Sequence, residues 1–222
     1  MALHGGDDPS TPVYGAPQGQ SRLLLCSLVI LRYHTKGLIP EHLMHPALPS
    51  RNWSYDMSQS LRALTTEDIA AVCTLSAAAT DPMQVYAKVD ALVRETVGYK
   101  LLTVLRFVED TQEVERVYSS DMNTYPIGGR KQLKTINRDD SLSARGEIFL
   151  AANEEEVKRT FPDHELIFSL GAGAVLNAPI RHAGRRLGTL NCCGLANSYG
   201  PKEIAAAKIL ANLLTPTLLT SG

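Results

Sequence analysis

Residues 174–192 read AVLNAPIRHAGRRLGTLNC, two apolar runs separated by a short polar segment. The segment at His182, Ala183 and Gly184 contains a glycine and predicts a tight turn, so the stretch predicts a β-hairpin. Asn177 and Asn191 each stand in the middle of one of its strands, where an amide must find hydrogen-bond partners. They either line a pocket or bond neighbouring strands, and the sequence favours neither.

Two adjacent cysteines, Cys192 and Cys193, lie at the end of this hairpin. Successive side chains of a strand point to opposite faces, so Cys193 shares a face with Asn191 and Cys192 does not. The two thiols therefore cannot act together as a disulfide or a metal site. We expect Cys192 to be a core residue and Cys193 to be either core or pocket lining. Cys73 is expected to pack as a small apolar residue in the first helix.

The remaining elements follow from periodicity and capping residues. A helix is predicted over 64–79, and a second begins at Pro82 after the cap Asp81. Residues 124–140 contain Pro126, Gly128 and Gly129 and are predicted to form a loop. The other predicted elements are strands over 99–110, 113–121 and 146–151, short helices between 154 and 170, and a closing helix from Pro201. This order predicts an α+β fold around an antiparallel sheet.

The N-terminal quarter of the chain has a different character. Of 222 residues, 44% are hydrophobic, which suits one good-sized core. Residues 1–56 are rich in Gly, Pro, Ser and His without a sustained period, so we predict a disordered or non-native extension followed by a single domain over 57–222. The apolar run Leu23–Leu31 is about half as long as a membrane-spanning helix, which needs roughly 20 apolar residues.

Charge and cysteine usage exclude several classes of partner. The 22 Lys and Arg nearly balance the 23 Asp and Glu, so neither a nucleic acid nor an acidic membrane is an expected partner. The four cysteines show no metal-ligand spacing and no disulfide framework, so we expect no metal and a cytoplasmic location.

The hairpin 174–192 resembles the closing hairpin of GAF domains, in which a proline-bearing strand, a short turn and an LGxLN-type strand recur. The resemblance extends over roughly Thr65 to Thr215. The stretches RVYSSDMNTYPIGGRK (116–131) and TFPDHELIFSLGAGAVLNAPI (160–180) look similar to small stand-alone bacterial GAF proteins. The resemblance implies a GAF/PAS-like sheet with the N- and C-terminal helices on one face and a ligand pocket of loops and short helices on the other.

The resemblance also implies a function and a place for the ligand. It indicates a small-molecule-binding sensor or regulatory module without its own output domain, whose pocket lies between the sheet and residues 119–173. No cofactor is evident, since the cyclic-nucleotide and bilin motifs of the family are absent. The candidate ligand-binding residues are Tyr118, Ser119, Tyr125, Arg130, Lys131, Phe161, Asp163, His164, Asn177, Asn191 and Cys193.

Several of these residues have an alternative role. Arg130 and Lys131 follow two glycines and would meet a carboxylate or phosphate, or else belong to a solvated turn. Asp163 either contributes to the site or caps the helix that begins at His164. His164 is the best candidate for a catalytic residue, as a general base.

An enzyme is the alternative function: a small hydrolase, isomerase or reductase with His164 as acid or base and Arg130 as anion-binding group. A free methionine-sulfoxide reductase is less expected, because no cysteine lies between Val97 and Asn191. A third possibility is an interaction scaffold whose pocket is filled by its own side chains. For the small-molecule-binding module, the terminal helices, Thr66 to Ala79 and Pro201 to Leu214, are expected to form a homodimer.

Overall fold

A computed structural model of the protein describes residues 60–132 and 145–220. The predicted extension over residues 1–56 lies outside them. No helix in the described part of the chain is long and apolar enough to cross a membrane.

Two helices open the described chain. Helix α1 spans Thr66–Ala78, and Thr65 caps it in a capping box with Asp68. Helix α2 spans Pro82–Thr96, and the Asp81 side chain accepts from the Met83 N–H, as the sequence predicts. The chain then leaves α2 through Gly98, whose φ of +74° suits glycine.

The described strands form a single antiparallel sheet in the order β3-β2-β1-β6-β5-β4. The short strand β3 was not predicted; it pairs with β2 at the end of the glycine-bearing loop. The strands are β1 Leu101–Val108, β2 Glu113–Ser119, β3 Arg130–Gln132, β4 Phe149–Ala151, β5 Ala174–His182 and β6 Arg185–Gly194. The remaining helices are α3 Glu154–Thr160, α4 His164–Ser169, α5 Pro201–Leu213 and α6 Thr215–Thr220.

The hairpin that suggested the fold is present as predicted. Strands β5 and β6 pair from Ala174 opposite Gly194 to His182 opposite Arg185. The two turn residues, Ala183 and Gly184, have φ of +48° and +79°. Positive φ at both positions is the geometry of a type I′ turn, whose twist matches that of the flanking strands.

The glycine of the LGTLN sequence has a steric role. A Cβ added at Gly188 would lie 2.1 Å from the Leu105 carbonyl oxygen on strand β1 and 3.0 Å from the Leu218 side chain. Only a residue without a side chain allows this approach between β6, β1 and α6.

One face of the sheet is covered by α2 and α5, and we call it the helix-covered face. It contains the larger core, in which Leu102, Leu176, Leu190 and Cys192 have almost no exposed surface. Cys192 is thus a core residue, as predicted. The prediction for Cys73 was wrong, because its thiol is exposed on α1, where only Val72 is buried.

The opposite face, which we call the distal face, carries a smaller core beneath α3 and α4. Its buried members are Leu101, Ala151, Val157, Ile167, Ala172, Val175 and Cys193. The two adjacent cysteines therefore belong to different cores, as strand alternation predicts. The α+β arrangement inferred from the sequence is confirmed.

Candidate functional site on the distal face of the sheet

A row of four polar side chains crosses the distal face from strand to strand. Ser119 on β2 pairs with Thr103 on β1, Thr103 with Asn191 on β6, and Asn191 with Asn177 on β5. Paired residues of antiparallel strands place their side chains on the same face, so the row is continuous. We call these residues the polar row.

The two asparagines of the polar row differ in their hydrogen bonds. The Asn191 amide nitrogen donates to the Thr103 hydroxyl at 3.3 Å, so this side chain bonds neighbouring strands. The Asn177 carbonyl oxygen is buried and has no hydrogen-bond partner among the described residues. Ser119 is occupied locally, since its hydroxyl accepts from the Asp121 N–H and donates to the Asp121 carbonyl. Asn177 is therefore the member of the row that is open to a ligand.

Arg116 reaches the same face because strand β2 is irregular. Opposite Val104 and Leu105 stand Tyr118 and Arg116, so Val117 is an extra residue in β2. Such a bulge shifts the alternation by one residue. Arg116 consequently lies on the distal face although it is two residues from Tyr118, which lies on the other.

The Arg116 guanidinium lies across the loop that follows β2. Its Nη1 donates to the Pro126 carbonyl at 2.9 Å, and its Cζ is 5.0 Å from the centroid of the Tyr125 ring. A Cβ at Gly129 would come within 2.9 Å of this Nη1, so glycine makes room for the guanidinium. The Nε of Arg116 is buried without a hydrogen-bond partner among the described residues. Burial lowers the pKa of Arg116, and Tyr125 and Asp163 oppose that effect.

Three of the predicted site residues meet at the edge of this loop. The Lys131 ammonium is 3.5 Å from an Asp163 carboxylate oxygen, which joins β3 to the start of α4. Burial raises the pKa of Tyr125, and the neighbouring Asp163 and Cys193 raise it further. We call Arg116, Tyr125, Lys131 and Asp163 the distal cluster; it holds three polar residues predicted from sequence and one that was not.

Cys193 lies behind the distal cluster. Burial, with a smaller contribution from Asp163, raises the pKa of its thiol to about 12. A thiol with such a pKa is almost entirely protonated at neutral pH and is a poor nucleophile. The position of Cys193 on this face agrees with the prediction, and its environment favours a packing role.

Aromatic side chains form the apolar wall beside the cluster. The rings of Phe161 and Phe149 meet edge to face with centroids 5.8 Å apart, and the His164 ring contacts Phe168 at 5.7 Å. The His164 Nδ1 is 2.9 Å from the Phe161 carbonyl oxygen. A carbonyl can only accept, so Nδ1 carries the proton and Nε2 is left for other partners.

Asp163 does not orient His164. Its carboxylate is directed to Lys131, and it makes no side-chain capping bond to α4 although it occupies the N-cap position. The predicted capping role of the Asp163 side chain was therefore wrong. A catalytic role of His164 stays a prediction. Asp163 does not supply the carboxylate that would orient the His164 ring.

Two predicted site residues lie on the other face. The Tyr118 hydroxyl is buried in the helix-covered core, where it donates to Asp90 at 2.6 Å. Arg130 pairs across the strands with Glu115 and forms ion pairs with Glu113 and Glu115 at 3.6 and 3.3 Å. Their placement in the pocket is corrected, because alternation directs Tyr118 to the face opposite Ser119 and Arg130 to the face opposite Lys131.

Asp90 is the centre of a polar network within the helix-covered core. The hydroxyls of Tyr99 and Tyr118 both donate to its carboxylate, and Arg94 lies 3.4 Å from it. Burial is the first cause, and Asp90 the second, that raises the pKa of both tyrosines. Each of these groups has a partner, so the network has the character of a structural element.

Arg116 and Thr103 are the polar members of the site that sequence reasoning missed, and Phe149 and Phe168 of the apolar wall were missed as well. Thr103 could have been found, because its alternation in β1 is regular and it opposes Asn191 in a simple antiparallel pairing. Arg116 had no such signal, since regular alternation places it on the face of Tyr118.

The fold can be compared with solved structures. The GAF domain of a phosphoenolpyruvate-protein phosphotransferase from Acinetobacter superposes with a TM-score of 0.56 at 11% identity, covering 71% of this chain and 96% of that one. The corresponding domain from Coxiella burnetii gives a TM-score of 0.55 at 17% identity, covering 70% and 92%.

The protein has a GAF-domain fold. The chromophore-binding domain of a bacteriophytochrome from R. palustris also superposes with this GAF fold, with a TM-score of 0.55 at 13% identity. That match covers 69% of this chain and spans only 60% of the bacteriophytochrome domain. The sequence matches no protein-family model and no curated protein.

Two clefts lie away from the distal face. One of about 60 Å³ is at the tip of the β1–β2 hairpin, beside Phe107 and Arg186. The other, of about 360 Å³, lies between residues 61–66, α1 and the N-terminal half of α5. In residues 60–132 and 145–220, no three His, Cys, Asp or Glu side chains converge as metal ligands.

Proposed function

We propose that this GAF domain is a sensor module that binds a small molecule against the distal face, between the polar row and the distal cluster. The observation that carries the proposal is a pair of buried atoms on that face, the Asn177 carbonyl oxygen and the Arg116 Nε, which have no hydrogen-bond partner within residues 60–132 and 145–220. A buried polar atom without a partner costs about 1–3 kcal/mol, which a ligand that supplies the missing bonds recovers.

The surroundings of these two atoms support the same interpretation. Ligand sites are mostly apolar with a few convergent polar groups, and here aromatic rings from β4, from the residue that follows α3 and from α4 stand beside the polar row. One of the structurally similar domains is described as binding a chromophore, so a small molecule bound by this fold has a precedent.

The site can be located by combining a binding screen with NMR spectroscopy. Small metabolites that raise the melting temperature of the full-length protein are titrated into the labelled protein. Residues facing the distal site, Thr103, Asn191 and Cys193, should shift. Their immediate neighbours on the same strands, Leu102, Leu190 and Cys192, face the other way and serve as matched controls. Failure of every stabilising compound to shift the distal set would refute the proposed site.

The proposal includes a cytoplasmic homodimer that uses α1 and α5. The surface of α1 is largely apolar and exposed, and Ile209 on α5 exposes 41% of its area. Burying such a surface against a second copy would be favourable. The cleft of about 360 Å³ between α1 and α5 borders the same surface.

Light scattering of two matched variants tests the dimer. Ile209→Lys places a charge on α5, and it should convert the dimer to a monomer. Leu195→Lys makes the same chemical change at a residue of similar exposure, 37%, outside the proposed interface, and should leave the dimer intact. A monomeric wild-type protein at micromolar concentration would refute this part.

A further inference from the structure

Arg116 is a partly buried arginine on the distal face, and the charge of Asp163 acts on it without forming an ion pair. None of the described carboxylate oxygens forms an ion pair with it, and its Nε is buried without a partner. Arg106, which is half-buried on the other face, also has an unpartnered Nε, but its Nη2 is paired with Glu115 at 2.7 Å. Partly buried charges are usually paired, so a bound anion would complete an ion pair at Arg116.

The charge of the distal cluster indicates what kind of anion would fit. Arg116 and Lys131 contribute two positive charges and Asp163 one negative charge, so the cluster has an excess of one positive charge. A carboxylate carries one negative charge and matches it. A phosphate monoester carries about 1.5 to 2 negative charges at neutral pH and would exceed it. The planar guanidinium also suits the two oxygens of a carboxylate.

The rest of the distal face indicates the body of the ligand. Phe149, Phe161 and Phe168 provide an apolar wall beside the cluster. The unpartnered Asn177 carbonyl lies on β5, three strands away from Arg116 on β2. Adjacent strands are about 4.8 Å apart, so β2 and β5 are about 14 Å apart, and these two groups address opposite ends of a ligand longer than a single aromatic ring.

Building on the proposed function, we infer that the ligand is a small monocarboxylic acid with an apolar body, whose carboxylate binds Arg116. A hydrogen-bond donor at its other end binds the Asn177 carbonyl oxygen. Arg116 is thus the specificity-determining residue of the site, and Lys131 adds positive charge beside it.

The test uses four aromatic probes and the Nε–H resonance of Arg116 in the ¹⁵N-labelled full-length protein. Benzoate should bind and move this resonance, and 4′-hydroxybiphenyl-4-carboxylate should bind more tightly because it is long enough to carry a donor toward Asn177. Benzamide has the same shape as benzoate without the charge and should bind at least about tenfold more weakly, the loss expected for one charge-assisted hydrogen bond. Phenyl phosphate carries more negative charge than the cluster neutralises and should also bind more weakly than benzoate.

Two matched variants add a second line of evidence. Arg116→Gln should weaken benzoate binding by about tenfold or more, whereas Arg130→Gln, the same change on the other face, should alter it less than about twofold. The probe series and the Nε–H resonance are measured on the wild-type protein, so the inference stays testable if Arg116→Gln does not fold.

The outcomes separate this inference from the proposed site. Equal binding of benzoate and benzamide, or an unmoved Arg116 resonance, overturns the carboxylate assignment. If neutral compounds from the screen still shift Asn177 and Asn191, the distal binding site stands and only the ligand class is wrong. If neither the probes nor the screen shifts any distal residue, both proposals fail.

Discussion

On the helix-covered face the buried carboxylate of Asp90 accepts from two tyrosine hydroxyls, whereas on the distal face Asn177 and Arg116 each keep a buried atom with no partner in the described part of the chain. Both faces belong to one sheet and share its strands, so the contrast does not arise from strand pairing. It arises from what covers each face. Helix α2 brings Asp90 to Tyr118, while the short helices over the distal face bring mainly apolar side chains.

This contrast separates polar groups that hold the fold together from polar groups that are free to bind. Removing a partner from a satisfied network leaves other buried groups unpaired and is costly. Removing a group that has no partner costs little and can stabilise the protein, since its burial was already unfavourable. The stability effects of substitutions should therefore differ in sign between the Asp90 network and Asn177.

The largest effect is expected at Gly188, where strand β6 lies against strand β1. Gly188→Ala places a Cβ against the Leu105 carbonyl, and we expect a loss of about 4 kcal/mol or more of unfolding free energy, measured by urea denaturation. Gly171→Ala is the control. Gly171 has a φ of +73°, which strains a residue with a side chain, but nothing lies within 4 Å of the added Cβ, so the variant introduces no steric clash. Backbone strain alone should cost it about 1–2 kcal/mol. Equal losses in both variants would contradict the steric role of Gly188.

The Asp90 network should make stability depend on alkaline pH. Tyr99 and Tyr118 have raised pKa values in the folded protein, while in the unfolded chain they ionise near pH 10. Their contribution is therefore complete below about pH 10 and is lost as the pH rises above it. Urea denaturation between about pH 8 and 11.5 should show this decline.

Two variants of the network sharpen that measurement. Asp90→Ala leaves two buried hydroxyls without their acceptor and should cost about 3 kcal/mol at neutral pH. Tyr118→Phe removes one ionisable group and should flatten the alkaline decline. A decline of the same steepness in Tyr118→Phe and in the wild type would show that Tyr118 is not one of the groups responsible.

The two asparagines of the polar row provide the direct comparison of satisfied and unsatisfied groups. Asn191→Val removes the hydrogen bond to Thr103 and should destabilise the protein by about 1 kcal/mol. Asn177→Val removes a carbonyl without a partner and introduces a residue that favours strands, so it should stabilise the protein by up to about 1 kcal/mol. The midpoints of urea denaturation measure both effects. Destabilisation of similar size in the two variants would contradict the difference in hydrogen bonding between Asn191 and Asn177.

The smallest effect is expected for Arg130. Its ion pairs with Glu113 and Glu115 are exposed, with 48% of the arginine side chain accessible, and such pairs contribute little. Arg130→Ala should change the unfolding free energy by less than about 0.5 kcal/mol at moderate salt. A loss above about 1 kcal/mol would assign this strand edge a structural role that its geometry does not indicate.

The amino-acid sequence by itself was sufficient for the fold and for the faces of its regular strands. The hairpin at Ala183 and Gly184 and the separation of Cys192 from Cys193 depend on local turn chemistry and on alternation, both of which are properties of neighbouring residues. Strand β3 was missed because three exposed residues after two glycines carry no apolar pattern.

The composition of the candidate site was decided only by the tertiary structure. The bulge at Val117 places Arg116 and Tyr118 on opposite faces, and its position depends on how β2 pairs with β1. Lys131 meets Asp163 across 32 residues of chain, and Arg130 is turned away because β3 pairs with β2. Local patterns specify which faces a regular strand presents, whereas long-range pairing determines where that regularity is broken and which distant side chains then meet.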